Sequence, residues 1–353
     1  MTIEKRKIAL IGDCLAHGGA EKVHALLSIY FHNAGLKVVN IVLSNIVTYE
    51  YHGELNIIHT RSEIQKTIQK NKFDYIIDFR ARPGFIKELM FSWFIYPTNV
   101  FYTVHSGLLD YYFPRSVFLS KLIYKRRKIV TVSQEISYLI LSKKIASDVH
   151  CINNPIDFEA IEILKNEPVI QKNVKYILAI GRLEEIKQFD ELILAYANSI
   201  LPEKGIKLFI VGSGSYQQSY KELSVKLGLG SDVEFTDFLE NPYPYYKNAL
   251  FTVLCSKNEG LSNVLLESLA CSTPVISFDC FCGPNEIILD KYNGLLVENQ
   301  NFKKLTEAID TMFMDKHLYR ICKENSLKSV EKFSLITIGK QWLNHFALYS
   351  NFR

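Results

Sequence analysis

The sequence of 353 residues has little of what marks disordered, fibrous or disulfide-stabilised proteins. Its 17 Gly and 10 Pro are too few for a collagen-like or low-complexity chain. The seven cysteines are odd in number and form no two CxxC pairs, so we expect reduced thiols. No apolar run reaches about 18 residues without a charge, and the N-terminus has no signal-peptide pattern. These absences predict a cytoplasmic protein without a spanning helix.

Two further absences narrow the possible functions. No GxGxxG is followed by an acid about 20 residues later, which argues against a nicotinamide-dependent oxidoreductase on Rossmann-like domains. No nucleic-acid-binding motif accompanies the basic residues, so we expect no nucleic-acid partner. The charge is also uneven: the first 150 positions hold 20 basic and 12 acidic residues, and the remainder holds 21 and 25. This asymmetry predicts two domains with different partners.

Strand-like apolar runs alternate with helical patterns, which predicts two α/β units with parallel sheets. The predicted strands are 7–13, 37–44, 75–80, 100–106, 128–133, 176–182, 207–214, 233–238, 250–256 and 273–279. A polar stretch at 162–173 interrupts the alternation. We therefore predict an N-terminal domain at 1–160 and a second domain at 172–333. A terminal helix at 334–353 has apolar residues at helical spacing and is predicted to return to the N-terminal domain.

Loops that follow the strands are the candidate functional segments, because open parallel sheets bind ligands at the carboxyl ends of their strands. DCLAHGGAEK (13–22) brings Gly18 and Gly19 to a helix N-terminus, which suits an anion. IVGSGSY (210–216) places Gly212 in a turn where a ribose or base could approach the backbone. Taken alone, each of these segments is better interpreted as a simple structural turn.

A pair of cations lies in GRLEEIKQ (181–188), directly after a predicted strand. Arg182 offers a guanidinium fork and Lys187 a point charge, and both can converge on one anion. The alternative is a solvated surface pair.

The segment EGLSNVLLE places Glu259 in a loop and Glu267 about one turn inside the following helix. Both carboxylates can face one cleft at different depths, with helical N–H groups offering an anion site between them. One acid could then bind each end of an elongated ligand with an anionic middle, as in a nucleotide sugar. For the spacing alone, a surface glutamate and an unrelated helical glutamate are the favoured alternative. The residues between the acids that form the helix start are Gly260, Leu261, Ser262 and Asn263, of which the last two are candidate caps.

Together these segments resemble the retaining glycosyltransferases of family 4, of the bacterial surface-glycan type, which have the GT-B fold. EGLSNVLLE is similar to the E-x7-E motif of that family. GGAEK, the GR…K pair, VGSG (211–214) and SLACSTPVISFD (268–279) occur in the family's order and spacing. The resemblance covers essentially the whole chain and is most specific in its second half. The chain departs from the pattern at Gln188-Phe189, where many relatives have a glycine after the lysine, and at CFCGPNEI (280–287).

The resemblance implies two doubly wound Rossmann-like domains facing across a cleft, the second binding the donor and the first the acceptor. Arg182 and Lys187 would neutralise the donor diphosphate. Glu267 would accept hydrogen bonds from the ribose, and Glu259 would contact the donor sugar. His105 matches a histidine beside the transferred sugar, although a capping or buried histidine is the alternative.

The implied reaction is metal-independent transfer with retention, in which the departing phosphate takes the acceptor proton. The sequence has no Asp-x-Asp at a strand end, in agreement with the absence of a metal cofactor. The implied catalytic residues are Glu259, His105, Arg182 and Lys187. The implied donor-binding residues are Gly18, Gly19, Gly181, Arg182, Lys187, Gly212, Gly260, Leu261, Ser262, Asn263 and Glu267.

A basic and aromatic region in the first half predicts an anionic membrane surface as a partner. KELMFSWFIYP (87–97) is unusually aromatic, and RSVFLSKLIYKRRK (115–128) interleaves six cations with apolar residues. We therefore expect peripheral binding to the inner face of the cytoplasmic membrane and a lipid-linked oligosaccharide, lipopolysaccharide or capsule precursor as acceptor. A helix with one buried face and a solvated basic face is the alternative.

The favoured function is therefore that of a hexosyltransferase. We expect it to transfer a hexose or an N-acetylhexosamine from a nucleotide sugar, with UDP as the favoured nucleotide. GPNE (283–286) resembles a variant in members that use UDP-linked galactose-type or N-acetylated sugars. The alternative function is a catalytically inactive, glycosyltransferase-like binding subunit of a glycosylation complex.

Overall fold

The structure is a computed structural model that describes residues 6–168 and 174–350. The chain forms two compact units, one comprising Met1–Pro155 with Phe333–Arg353 and the other Ile156–Lys332. The predicted domain limits at residues 1, 172 and 353 lie outside the described residues.

The first unit is built on a seven-stranded parallel sheet with the order β3-β2-β1-β4-β5-β6-β7. Its strands are β1 (Lys7–Gly12), β2 (Lys37–Val42), β3 (Glu54–Ile57), β4 (Tyr75–Asp78), β5 (Val100–Val104), β6 (Lys128–Thr131) and β7 (Asp148–Cys151). Its α-helices are α1 (Gly19–Asn33), α2 (Arg61–Asn71), α3 (Phe85–Met90), α4 (Val117–Tyr124) and α5 (Gln134–Ser142). A π-helical turn, Phe91–Ile95, extends α3, and a 3₁₀ turn spans Leu109–Tyr111.

The second unit has a six-stranded parallel sheet with the order β10-β9-β8-β11-β12-β13. Its strands are β8 (Tyr176–Ile180), β9 (Lys207–Val211), β10 (Val233–Thr236), β11 (Thr252–Leu254), β12 (Val275–Phe278) and β13 (Gly294–Val297). Its α-helices are α6 (Phe158–Leu164), α7 (Phe189–Ala197), α8 (Gln217–Lys226), α9 (Tyr243–Asn248), α10 (Asn263–Ala270), α11 (Pro284–Ile287), α12 (Phe302–Met314) and α13 (Lys316–Val330). 3₁₀ turns lie at Glu185–Lys187, Pro202–Lys204 and Glu331–Phe333.

All ten predicted strands are confirmed. Nine of them are largely buried apolar runs of a parallel sheet, whereas β10 (VEFT) is an edge strand with half-exposed side chains. The strands β3, β7 and β13 were missed. The first two are edge strands with half-exposed side chains, and their sequences ELNI and DVHC contain no apolar run. Strand β13 is only four residues long and begins at Gly294, so its apolar pattern is too short to recognise.

The predicted return of the terminal helix to the first unit is confirmed. Helix α14 (Leu335–Ser350) buries Ile338, Trp342 and Phe346 in the core of that unit. The Phe346 ring stacks on Tyr75, with 4.3 Å between the ring centroids. The apolar face of α14 therefore completes the core of the first unit. This helix follows the whole of the second unit in the sequence.

Each sheet has a topological switch point, where the strand order reverses between two adjacent strands. In the first unit the switch lies between β1 and β4, and in the second it lies between β8 and β11. The loops leaving such a pair diverge to opposite sides of the sheet and leave a crevice at its carboxyl edge, where open α/β sheets bind ligands.

Three histidines of the first unit are buried in a way that disfavours their charged form. Burial lowers the pKa of His24 to about 4, against a hydrogen bond to Asn40 that raises it. Burial lowers the pKa of His345 to about 4, with His150 adding to the effect. Burial also lowers the pKa of His105 to about 3. All three imidazoles are therefore neutral in the folded protein at neutral pH.

We predict that the stability of the protein falls below pH 6.5. An unfolded histidine binds a proton near pH 6.5, whereas these folded histidines bind one only near pH 3–4. The stabilisation is complete above pH 6.5 and is lost as the pH falls towards 4. Between pH 7 and pH 5 each histidine should contribute a loss of about 1–2 kcal/mol in the free energy of unfolding.

Urea unfolding at pH 7 and pH 5 measures this loss. His24→Gln should weaken the pH dependence by about one proton. The matched control His59→Gln, at an exposed position, should leave it unchanged. An equal unfolding free energy at both pH values in the unmodified protein would contradict the prediction.

Candidate functional site

The candidate site in the second unit is formed by loops at the carboxyl edge of its sheet, on either side of the β8–β11 switch point. The loop after β8 is joined to the loop after β9 by a hydrogen bond from the Leu183 N–H to the Ser213 carbonyl, at 2.9 Å. It is joined to the loop after β11 by the Lys257 N–H, which donates to the Ile186 carbonyl at 2.9 Å. These main-chain bonds make the separate loops one connected surface.

Glycines allow these loops to approach so closely. A Cβ atom on Gly212, whose φ is +143°, would lie 2.0 Å from the Gly181 carbonyl oxygen. A Cβ on Gly214 would lie 2.4 Å from the Leu183 carbonyl oxygen. The glycines of the VGSG segment are therefore required by the packing of the β9 loop against the β8 loop, independently of any ligand.

One predicted cation and one predicted acid, Lys187 and Glu259, form an ion pair. The Lys187 ammonium donates to the Glu259 carboxylate at 2.5 Å, and the two side chains are only 15% and 11% exposed. Arg182 is exposed on the segment that leads from β8 to the 3₁₀ turn. The structure thus brings Lys187 and Glu259 together, a pairing that sequence spacing could not indicate because 72 positions separate them.

The two glutamates of EGLSNVLLE lie in different environments. Glu259 precedes helix α10 and is half-buried, whereas Glu267 is buried within the helix. The Glu267 carboxylate lies next to the buried phenol of Tyr246. Burial and this carboxylate both raise the pKa of Tyr246 well above its usual value. Glu267 is thus held against a neutral phenol.

The start of helix α10 corrects one detail of the sequence prediction. Ser262 occupies the N-cap position, but its side chain accepts no hydrogen bond from the first turn. Gly260 instead packs against the loop after β12, since a Cβ on Gly283 would lie 2.6 Å from the Gly260 carbonyl oxygen. The GPNE departure from the family pattern is thus in direct contact with the E-x7-E segment.

The predicted glycines of the first unit begin helix α1. Gly18 is the N-cap residue, and Gly19 is the first helical residue. A Cβ on Gly18 would lie 1.8 Å from a carboxylate oxygen of Glu21. An acidic side chain is therefore already present at this helix N-terminus, where it interacts favourably with the helix dipole.

His105 follows strand β5 and both of its ring nitrogens are buried. The positive charge of Arg82 adds to burial in lowering its pKa, whereas Asn154 acts in the opposite direction. The ring lies beside Phe79, with 5.7 Å between centroids, and lines a small pocket within the first unit. The His105 imidazole is therefore neutral at neutral pH.

A buried ionic cluster after strand β4 was not predicted. Arg80 donates to both carboxylate oxygens of Asp78, at 3.0 and 2.8 Å. Arg82 donates to the carbonyls of Asp78, Arg80 and Thr103, at 3.1, 2.9 and 2.7 Å. The segment DFRARP could have drawn attention through its two arginines at a strand end. Both guanidiniums are used internally, so they support the loop and are not available to an anion.

The basic and aromatic region of the first unit is only partly a surface. Arg127 donates to the Ser92 carbonyl, and Lys128 begins strand β6 with its ammonium 5.0 Å from the Phe101 ring centre. Two of the six cations in the predicted basic segment are thus committed to internal contacts. Among the described residues, no helix has both the length and the hydropathy to cross a membrane.

The rest of this region forms what we call the apolar surface, carried by α3, the π-helical turn and α4, which packs on α3. Phe94 and Phe118 are its most exposed aromatics, at 70% and 74%. The cations Lys87, Lys125 and Arg126 are exposed in the same segments. The exposed apolar side chains of the surface are Ile86, Met90, Trp93, Phe94, Val117, Phe118 and Leu122.

Comparison with known proteins relates the second unit to a family. Residues 160–329, slightly less than half of the chain, match the family model described as Glycosyl transferases group 1. A Campylobacter jejuni protein named N-acetylgalactosamine-N,N'-diacetylbacillosaminyl-diphospho-undecaprenol 4-alpha-N-acetylgalactosaminyltransferase is 34% identical over 192 residues. The match covers 54% of this chain and 52% of that protein, so the chain spans about half the length of this relative.

Solved structures show the fold of the whole chain. A glycosyltransferase from Rickettsia africae has a TM-score of 0.76 at 19% identity, over 97% of this chain and 98% of that one. The Anabaena protein HepE in complex with UDP has a TM-score of 0.75 at 17% identity, over 97% and 99%. The predicted GT-B fold, with two Rossmann-like α/β domains, is thereby confirmed.

We predict that Gly214→Ala destabilises the second unit. Its Cβ would meet the Leu183 carbonyl, and relieving that overlap should cost about 1–3 kcal/mol in the free energy of unfolding. Gly230→Ala is a matched control, because its Cβ meets only a side-chain carbon at 3.8 Å and neither glycine has a positive φ. Chemical denaturation measures the unfolding free energy of both variants. Equal values would contradict the close packing of Gly214 against the Leu183 carbonyl.

Proposed function

We propose that the protein is a retaining glycosyltransferase of family 4 that uses a nucleotide sugar, with UDP preferred, and a lipid-linked or cell-surface glycan acceptor. The observation that carries this proposal is the convergence of Lys187 and Glu259 at the switch point of the second unit. That unit also contains the whole match to the glycosyltransferase family model. The transferred group is a hexose or an N-acetylhexosamine.

The ion pair suits a ligand that offers an anion and hydroxyl groups together. In this proposal the donor diphosphate takes the Lys187 ammonium, and Arg182 adds a second cation on the same edge of the sheet. The carboxylate of Glu259, released from the lysine, accepts hydrogen bonds from the donor sugar. A nucleoside diphosphate alone satisfies the lysine but leaves Glu259 without its partner. A complete nucleotide sugar satisfies both groups.

The ribose is assigned to Glu267. Its carboxylate lies against Tyr246, whose raised pKa keeps the phenol neutral. A carboxyl group fixed on a rigid helix is a suitable hydrogen-bond acceptor for two neighbouring hydroxyls. Gly181 and Gly212 are assigned to this site because they pack closely against each other where the loops after β8 and β9 meet. Residues 260–263 contribute the start of helix α10.

The chemical step we propose needs no protein nucleophile and no metal. The bond between the sugar C1 and the phosphate oxygen breaks, and the acceptor oxygen bonds to C1 on the same face. The acceptor proton passes to the departing phosphate. Arg182 and Lys187 stabilise the charge that builds on that phosphate, which is the largest contribution a protein can make to this step. The prediction that His105 contacts the transferred sugar comes from the family resemblance, and both of its ring nitrogens are buried within the first unit.

The acceptor is proposed to be carried on a lipid at the inner face of the cytoplasmic membrane. The Campylobacter relative is named for a diphospho-undecaprenol substrate. In this chain the apolar surface combines exposed aromatics with the cations Lys87, Lys125 and Arg126. Aromatic side chains favour the interface of a bilayer, and each cation adds about 1 kcal/mol near anionic lipids.

We predict that UDP binds the purified protein in the presence of a chelator and binds more tightly than GDP. Arg182→Ala should weaken UDP binding at least about tenfold, because a charge-assisted contact to the diphosphate is lost. Arg320→Ala, which removes an exposed arginine from α13 of the same unit, is the matched control and should have no effect. Isothermal titration calorimetry measures the affinities of the unmodified protein and of both variants for UDP and GDP.

Either of two results would argue against this donor site. A folded protein that binds no nucleotide contradicts the enzyme and favours the inactive binding subunit. UDP binding that is equally tight in Arg182→Ala and Arg320→Ala removes Arg182 from the site. A preference for GDP keeps the site and changes the donor to a GDP-linked sugar.

We also predict that the protein sediments with phosphatidylglycerol-rich vesicles and much less with phosphatidylcholine vesicles. Replacing Trp93 and Phe94 by Ser together should abolish sedimentation, because the exposed aromatics would no longer enter the interface. Tyr138→Ser is the matched control, since Tyr138 is 75% exposed on α5 but lies outside the apolar surface. Equal sedimentation of the two variants would exclude the apolar surface as the membrane contact.

A further inference from the structure

The turn that presents Lys187 contains a residue in an unfavourable backbone conformation. Gln188 has φ 51° and ψ 44°, in the left-handed region that glycine tolerates best. It is buried, and it is also the N-cap residue of helix α7. A glycine would adopt this conformation without strain, so the side chain of Gln188 must contribute something that offsets the strain.

That contribution is a closed pair of amide hydrogen bonds. The Gln188 amide nitrogen donates to the Gln300 side-chain oxygen at 3.0 Å, and the Gln300 amide nitrogen donates back at 2.8 Å. Gln300 also has a positive φ, of 60°, in the loop after strand β13. The two residues are 112 positions apart, so the pair ties the loop after β8 to a loop two strands beyond β11 in the sheet.

A second set of bonds holds the same turn from the β11 side. The Cys255 thiol donates to the carbonyls of Lys187 and Gln188, each at 3.2 Å. The Lys257 N–H donates to the Ile186 carbonyl, and the Lys257 ammonium pairs with Glu185 at 2.7 Å. The backbone of Lys187 is therefore fixed on one side by the β11 loop and on the other by the amide pair.

We propose that Gln300 is a positioning residue for Lys187, acting through Gln188. The amide pair keeps Gln188 in its left-handed conformation, and this conformation directs the preceding lysine towards Glu259. The inference rests on the proposed function only where it concerns the diphosphate, because the positioning of the turn itself is independent of any ligand.

The test compares Gln300→Ala with a control that removes a similar bond elsewhere. Gln300→Ala should weaken UDP binding and raise the donor KM about three- to tenfold, with a smaller change in kcat. Gln300→Glu keeps an acceptor for the Gln188 amide and should give an intermediate effect. Gln218→Ala removes an exposed amide-to-carboxylate bond on α8, of 2.9 Å to Glu222, and should leave both constants unchanged.

A double-mutant cycle with Lys187→Ala separates positioning from general stability. In the Lys187→Ala background, Gln300→Ala should change UDP affinity less than about twofold, because the lysine through which it acts is absent. A full three- to tenfold loss in that background would overturn the proposal, since it would show an effect that does not pass through Lys187.

Hydrogen exchange of the amides of residues 184–192 tests the turn without any ligand. Exchange there should be faster in Gln300→Ala and unchanged in Gln218→Ala. Unchanged exchange in Gln300→Ala would overturn the positioning role. If the unmodified protein binds no UDP but exchange responds as expected, the donor site is refuted while the amide pair is upheld as the element that orders the turn.

Discussion

The ion pair between Lys187 and Glu259 is the contact on which the arrangement of the second unit's site depends. The pair adds a side-chain cross-link to the main-chain and thiol bonds that already join the loops after β8 and β11. A half-buried lysine and glutamate make the crevice between them nearly neutral before any ligand arrives. Removing either residue would leave the other as an uncompensated, largely desolvated charge, which is far more costly than losing an exposed pair.

Most of the fold follows from buried strands that can be recognised by composition alone. Runs such as KIALIG and YILAI are apolar throughout, because a central parallel strand is covered on both faces. The edge strand DVHC carries no such signal, since its pairing with β6 depends on main-chain bonds that any sequence can make. Helix α14 was predicted to return because an amphipathic helix with Trp342 and Phe346 must cover its apolar face.

The candidate site was predictable as a set of residue types but not as a set of contacts. Glycines, cations and acids at strand ends indicated which loops matter. The pairing of Lys187 with Glu259, and of Gln188 with Gln300, joins positions that are far apart in the chain and depends on the register of the sheet. The same limit applies to Arg80 and Arg82. In sequence they resemble an anion site, but in the structure Asp78 and nearby carbonyls occupy them.

Helix α14 also has a consequence for how the protein is made. The ribosome must synthesise the whole second unit before residues 335–350 become available to complete the first core. The first unit therefore spends much of translation with the groove beside Phe31 and Phe101 uncovered, while the second unit can already fold. The core of the first unit thus lacks one of its helices until the second unit has been synthesised in full.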